Sequence, residues 1–116
     1  MQYALLIYNP DDDVAEQARR TIDLDIAAIL ARPDVTSWIR LHAPGSATTV
    51  HRQEGGTLLT DGPFVDSKEF LGGLVVVEAD NLDGALAVAA ELAELRPRRI
   101  VAIEVRPVRD EELGDA

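Results

Sequence analysis

Three segments of the chain, residues 2–8, 74–79 and 100–105, carry apolar side chains at almost every position. Because successive side chains of a β-strand point to opposite faces of its sheet, such strands present apolar groups on both faces. A strand with one face in water would instead alternate apolar with polar residues. The chain is therefore expected to fold around a sheet that is covered on both sides.

Two amphipathic helices are expected to cover one of these sides. Apolar residues recur at helical spacing over residues 14–30, ahead of Pro33. A second helix is predicted between the capping residue Asn81 and Pro97. Its buried stripe is predicted to consist of Leu82, Leu86, Ala89, Ala90 and Ala93.

The remaining segments complete an α+β order. Residues 36–41 form a predicted strand, and residues 47–53 and 57–60 flank a Glu-Gly-Gly turn at 54–56 that is typical of a hairpin. The order is then strand, helix, two to three strands, strand, helix, strand. It predicts a ferredoxin-like antiparallel sheet with two helices on one face and an added hairpin.

The second face of this sheet needs its own cover. Two helices can cover only one face, and an apolar patch of that size is unusual on a soluble monomer. The simplest arrangement is a homodimer in which two such sheets pack face to face.

Composition excludes several classes of site. The chain has 116 residues and no cysteine, so a disulfide, a thiolate metal site and a cysteine nucleophile are all excluded. It has 11 Lys and Arg against 21 Asp and Glu, a formal charge of -10, which argues against nucleic-acid binding.

The opening residues do not predict a signal peptide. Residues 1–8 lack the basic region and long apolar run of a signal peptide, and no apolar stretch reaches the roughly 18 residues that span a bilayer. We expect a cytoplasmic protein with no membrane contact. Residues 1–109 are expected to form one domain, followed by an acidic C-terminal tail over residues 110–116.

Residues 59–73 form the most unusual segment of the chain. They read Leu-Thr-Asp-Gly-Pro-Phe-Val-Asp-Ser-Lys-Glu-Phe-Leu-Gly-Gly, with two charged pairs and two glycine sites between apolar segments. Asp61-Gly62-Pro63 has the composition of a turn. The paired glycines Gly72 and Gly73 predict a close backbone approach or a bulge where the next strand begins.

This segment resembles the DGPF signature of the YCII-related family, whose usual form is T-D-G-P-F-x-E-x-K-E-x-L-G-G. The similarity extends to four other segments of the chain. These are residues 1–8, residues 41–50, the predicted helix start at residues 81–86, and Glu-Val-Arg-Pro-Val at residues 104–108. Asp66 stands where the family often has Glu. The histidine that related enzymes carry near the first helix is missing, since this chain has only His42 and His51.

The resemblance implies a dimeric α/β barrel and two alternative functions. One is a cofactor-independent lyase or isomerase that performs acid–base chemistry on a small molecule. The other is a non-catalytic ligand-binding or accessory protein linked to extracytoplasmic-function sigma factors. An enzyme should lose turnover when Asp61 is replaced by Asn, whereas a binding protein should have affinity for a ligand without turnover.

Asp61 and His42 are the candidate catalytic residues. A partly desolvated Asp61 carboxylate at a strand end is suited to a general base, with His42 as its acid–base partner. The alternative is that Asp61 only shapes its turn. The histidines and aspartates match no compact metal-ligand spacing, so we expect neither a metal nor a cofactor.

Four further residues are candidates for substrate binding. Lys68 could hold an anionic group and Phe64 could line an apolar pocket, while Thr49 and Asp66 offer a hydroxyl and a second carboxylate. The alternative for Lys68 and its neighbour Glu69 is a solvated charged pair on a surface loop.

Overall fold

Six strands, two α-helices and one short 3-10 turn make up the described part of the chain, residues 1–12, 24–95 and 99–109 of a computed structural model. In chain order they are β1 (Gln2–Pro10), α1 (Leu24–Leu30), β2 (Val35–Arg40), the 3-10 turn (Pro44–Ser46), β3 (Thr48–Gln53), β4 (Gly56–Asp61), β5 (Glu69–Glu78), α2 (Leu82–Leu95) and β6 (Ala102–Pro107). This order confirms the predicted α+β class. The predicted first half of α1 and the acidic tail lie outside the described residues.

Four strands form one antiparallel sheet in the order β2-β5-β1-β6. Both β1 and β2 are antiparallel to β5, so they run parallel to each other with β5 between them. This split β-α-β arrangement is the ferredoxin-like topology that the sequence predicts. The hairpin β3-β4 forms a separate two-stranded sheet, and the described strands do not close into a barrel.

The hydrophobic core lies between one face of the large sheet and the two helices. Leu5 and Val77 are fully buried there, and burying an aliphatic side chain of this size contributes roughly 1.5–3 kcal/mol. The other buried apolar residues are Tyr3, Ile29, Val75, Ala85, Val88, Ala89 and Leu92. Within the described ranges no helix is long and apolar enough to cross a membrane.

The buried stripe of α2 differs from the predicted one. Leu82 and Leu86 are 46% and 44% exposed, and of the predicted stripe only Ala89 is buried. The helix does begin as predicted, because the Asn81 side-chain oxygen accepts a hydrogen bond from the Gly84 amide at 3.1 Å. Both stripes have helical spacing, and the buried one places the small side chains of Ala85 and Ala89 in the core.

Strand β5 begins at Glu69 rather than at Leu74, so the end of the signature segment is strand and not loop. Its glycines form the predicted bulge and close approach, although they lie inside β5 and not at its start. Ile7 pairs with Gly73 and Tyr8 pairs with Leu71, which leaves Gly72 as the extra residue of a β-bulge. At Gly73, a Cβ atom would lie 3.0 Å from the backbone oxygen of Ile39 on β2.

The face of the large sheet that the helices do not cover is called the far face below. Its residues, by strand register, are Ala4, Leu6 and Tyr8 of β1, Ser37 and Ile39 of β2, Leu71, Leu74 and Val76 of β5, and Ala102, Glu104 and Arg106 of β6. Ile39 is 53% exposed there. Nothing among the described residues forms a second layer on this face, so the helices cover only one side of the sheet, as the sequence predicts.

Candidate ligand pocket

A pocket of about 820 Å³ opens at one end of the far face. Its floor includes Tyr8 of β1 and Leu71 of β5, and its walls come from the segment after β2 and from the loop after β4. The lining residues are Tyr8, Leu41, His42, Ala43, Pro44, Ser46, Ala47, Pro63, Phe64, Val65, Glu69, Phe70 and Leu71.

One wall is fixed by the 3-10 turn that follows β2. Pro44 sets the first backbone angle of this turn. The Ala43 carbonyl then accepts hydrogen bonds from the amide and the hydroxyl of Ser46, at 3.0 and 2.7 Å. At the start of the segment, the Leu41 amide donates to the carbonyl of the bulge residue Gly72 at 2.9 Å. The bulge therefore ties this wall to the large sheet.

The opposite wall depends on the turn after β4. Gly62 has a φ of 95°, a conformation that other residues rarely adopt. The Gly62 amide donates to the Ala47 carbonyl, and its own carbonyl accepts from the Thr49 hydroxyl, both at 2.7 Å. These contacts hold the two walls together, and the chain bends at Gly62 directly after β4.

Phe64 is held at the pocket by a histidine from the hairpin. The rings of His51 and Phe64 lie 5.7 Å apart at a tilt of 55°. The His51 Nε2 atom and the Thr60 hydroxyl are 2.8 Å apart, within hydrogen-bond distance. His51 is half-buried and supports a lining residue, although its place in the sequence indicated only a surface strand.

Two of the sequence-predicted site residues, His42 and Phe64, line the pocket. The candidate base Asp61 does not line it. It is exposed at the end of β4, opposite Thr48 and on the same outer side of the hairpin as Val50 and Leu59. The catalytic role of His42 and Asp61 and the binding role of Phe64 stay predictions. The pocket lining includes His42 but not Asp61.

The other predicted binding residues also lie outside the lining. The hydroxyl of Thr49 is used within the fold, by the bond to Gly62. Asp66 and Lys68 are exposed, and the Lys68 carbonyl accepts a hydrogen bond from the Asp11 amide at 2.6 Å. In the parts of the chain that the structure describes, no three histidine or acidic side chains are grouped so as to hold a metal ion.

Glu69 lines the pocket, although the sequence analysis considered it only as part of a solvated charged pair. Its carboxylate Oε2 accepts a hydrogen bond from the Ser67 hydroxyl at 3.1 Å, and its backbone amide donates to the same hydroxyl at 3.2 Å. Glu69 is exposed, and the bond to Ser67 favours one position of its carboxylate at the pocket wall. The Ser-x-Glu spacing was a usable signal, because serine hydroxyls often bond the backbone two residues further on.

Comparison with known proteins gives two matches. Residues 1–111 match the family model described as the YCII-related domain. The chain is also 30% identical, over an alignment 116 residues long, to an uncharacterized protein of Rhizobium meliloti (strain 1021). That alignment covers 93% of this chain and 92% of the relative. Neither description names a reaction, a ligand or a partner.

Proposed function

This chain belongs to the YCII-related family, and we propose that it binds a small, mostly apolar molecule in the pocket at the end of the far face. The observation that carries the proposal is the pocket itself. Its volume of about 820 Å³ lies within the range of roughly 300–1,000 Å³ of ligand sites. Its lining is largely apolar, with Tyr8, His42, Ser46 and Glu69 as the polar residues.

The test is a substitution that places a bulky side chain from the wall into the pocket. We expect the replacement Ala43→Trp to abolish binding of a small aromatic probe such as benzyl alcohol, measured by ligand-observed NMR. The matched control is Ala87→Trp, since Ala87 is exposed on α2 and does not line the pocket. Undiminished binding by the folded Ala43→Trp protein would place the probe elsewhere and refute the proposal.

Acid–base catalysis, as in a cofactor-independent lyase or isomerase, is the second candidate function. It is favoured by the presence of His42 and Glu69 in the lining, because both side chains can transfer protons to a bound molecule. Asp61 would take part only if the substrate reached from the pocket to the outer side of the hairpin. Turnover that is lost in His42→Ala but kept in Asp61→Asn would assign the chemistry to the pocket.

An accessory role linked to extracytoplasmic-function sigma factors is a third proposal, which comes from the family resemblance alone. Affinity for a ligand without any turnover would be consistent with it. Loss of that affinity in Ala43→Trp would then identify the pocket as the sensing site.

We also propose that two copies pack through their far faces as a homodimer. Support comes from the apolar centre of that face, where Leu6, Leu74 and Val76 are only half-buried. Further support comes from Glu104 and Arg106, which lie on the same face of the edge strand β6. In a two-fold interface each contact occurs twice, so Glu104 can meet the partner's Arg106 in both directions.

The oligomeric state tests this proposal directly. Ile39→Asp places a charge on the far face at a side chain that is 53% exposed in the single chain, so we expect it to prevent dimer formation without unfolding the protein. Light scattering coupled to size exclusion would show a monomer for this variant. The control is Leu86→Asp, at a 44% exposed position on α2, which should leave the dimer intact.

A further inference from the structure

The pocket combines aromatic residues with a single carboxylate, and we propose that its ligand is an organic cation: an amine or ammonium group joined to an apolar body. This inference rests on the proposed ligand-binding function and specifies the chemistry of the ligand. Aromatic residues make up only 4% of the chain, two Tyr, two Phe and one Trp. Three of these five, Tyr8, Phe64 and Phe70, line this pocket.

Aromatic linings favour cations for an electrostatic reason. The face of an aromatic ring carries partial negative charge, so it attracts an ammonium group as well as apolar surface. A site with several aromatic residues therefore accommodates a ligand that has both an apolar body and a positive charge. A neutral ligand of the same shape would gain only the apolar part of this interaction.

Glu69 provides the countercharge. Because Ser67 bonds both the carboxylate and the backbone amide of Glu69, this side chain is partly ordered before any ligand arrives. An ordered carboxylate loses less conformational freedom on binding, and its hydrogen bond to an ammonium group is of the strong, charge-assisted kind. Ser67 is thus a positioning residue for Glu69.

The remaining charges argue against an anionic ligand. No Lys or Arg is present among the described residues that line the pocket. Lys68, which the sequence suggested as a holder of an anionic group, is not part of the lining. The formal charge of -10 on the whole chain also attracts cations and repels anions at a distance.

Three probes of similar size and different charge test the inference: benzylammonium, benzyl alcohol and benzoate. Their dissociation constants would be measured by calorimetry or NMR titration in the same buffer at low salt. We expect benzylammonium to bind about tenfold more tightly than benzyl alcohol, as a cation–π contact together with a charge-assisted hydrogen bond allows. Benzoate should bind most weakly of the three.

Substitutions assign this preference to residues. Glu69→Gln should remove most of the tenfold preference for the cation, so that benzylammonium and benzyl alcohol bind with similar affinity. The control Glu94→Gln changes the net charge equally, at an exposed position on α2 that does not line the pocket, and should retain the preference. Comparison of these two variants separates the local effect of Glu69 from the charge of the whole chain.

Ser67 and Phe64 are tested in the same titrations. Ser67→Ala should weaken binding of benzylammonium about threefold, and Ser67→Thr, which keeps the hydroxyl, should restore it. Phe64→Leu keeps an apolar side chain but removes the aromatic ring. It should likewise weaken benzylammonium about threefold, with a smaller effect on benzyl alcohol.

The outcomes distinguish this inference from the function on which it rests. If benzyl alcohol or benzoate binds as tightly as benzylammonium, or if Glu69→Gln keeps the preference, the cation inference is wrong while the ligand-binding function stands. If none of the three probes binds to the wild-type protein, both are wrong. Circular dichroism of each variant ensures that any loss of binding is not a loss of fold.

Discussion

Replacement of Gly73 by alanine tests the close approach of β2 and β5 that supports the pocket wall. A Cβ atom at this position would lie 3.0 Å from the Ile39 carbonyl oxygen, which is tighter than about nine in ten real Cβ contacts, so this neighbour would have to move by a few tenths of an ångström. The neighbour is backbone within a hydrogen-bonded strand, so it cannot simply rotate away. Either β2 must shift outward or the β5 backbone must distort.

The size of the effect follows from two opposing terms. Removing glycine from a strand reduces the conformational freedom of the unfolded chain and stabilises by about 0.5–1 kcal/mol. Forcing an extra methyl group into a filled site costs about 1–3 kcal/mol. We therefore expect Gly73→Ala to lower the free energy of unfolding by about 1 kcal/mol, which corresponds to a decrease in Tm of roughly 4 °C for a domain of this size.

Gly45→Ala provides the matched control. Gly45 lies in the 3-10 turn, and a Cβ atom there would have no neighbour within 4 Å. Only the unfolded-state term then applies, so this variant should be as stable as the wild type or slightly more stable. Urea unfolding of both variants at one fixed protein concentration measures the difference. If Gly73→Ala proved as stable as Gly45→Ala, the inferred close packing of β2 on β5 would be wrong.

Substitutions at three further positions test local contacts of the fold. Asn81→Ala removes the cap of α2 and should destabilise by about 1 kcal/mol in urea unfolding, whereas Asn81→Ser should retain most of the stability. Gly62→Ala forces alanine to a φ of 95° and should cost about 1–2 kcal/mol by the same assay; a neutral result would mean that the turn can adopt another conformation. Glu91→Gln removes the exposed ion pair with Arg32, 2.6 Å long, and should change the unfolding free energy by less than about 1 kcal/mol; a larger loss would show that the pair is stronger than its exposure indicates.

The sequence was sufficient to predict the fold because its strongest signals are local. The apolar runs of β1 and β5, the Asn81 cap and the turn glycines act over a few residues each. The α2 stripe was mispredicted because two overlapping sets of residues have helical spacing, and only packing against the sheet selects between them. The start of β5 was missed because Glu69 and the paired glycines interrupt the apolar pattern that marks a strand.

The pocket was only partly predictable, since it is built from segments distant in the sequence. Phe64 was identified from its position after the Asp-Gly-Pro segment, and His42 from its place in the stretch that resembles the family's Leu-to-Pro segment; both line the pocket. Tyr8 was counted as a strand residue, and nothing in its own segment indicates that it ends beside the loop at residues 63–65. Glu69 had a local signal in the Ser-x-Glu spacing, but its place in the pocket depends on walls that come from other segments.

The two proposals about the far face are physically linked, because the pocket and the proposed dimer interface share it. Tyr8 and Leu71 line the pocket and belong to the same face as Leu6 and Leu74. Phe64 is 76% exposed, so a second subunit that reached this end of the far face would bury more of a bound ligand. Ligand binding and dimer formation must then strengthen each other by the same factor.

We expect the dimer dissociation constant, measured by analytical ultracentrifugation, to decrease when benzylammonium is added. An increase would show that the partner fills the pocket instead of closing it, and no change would place the interface away from it.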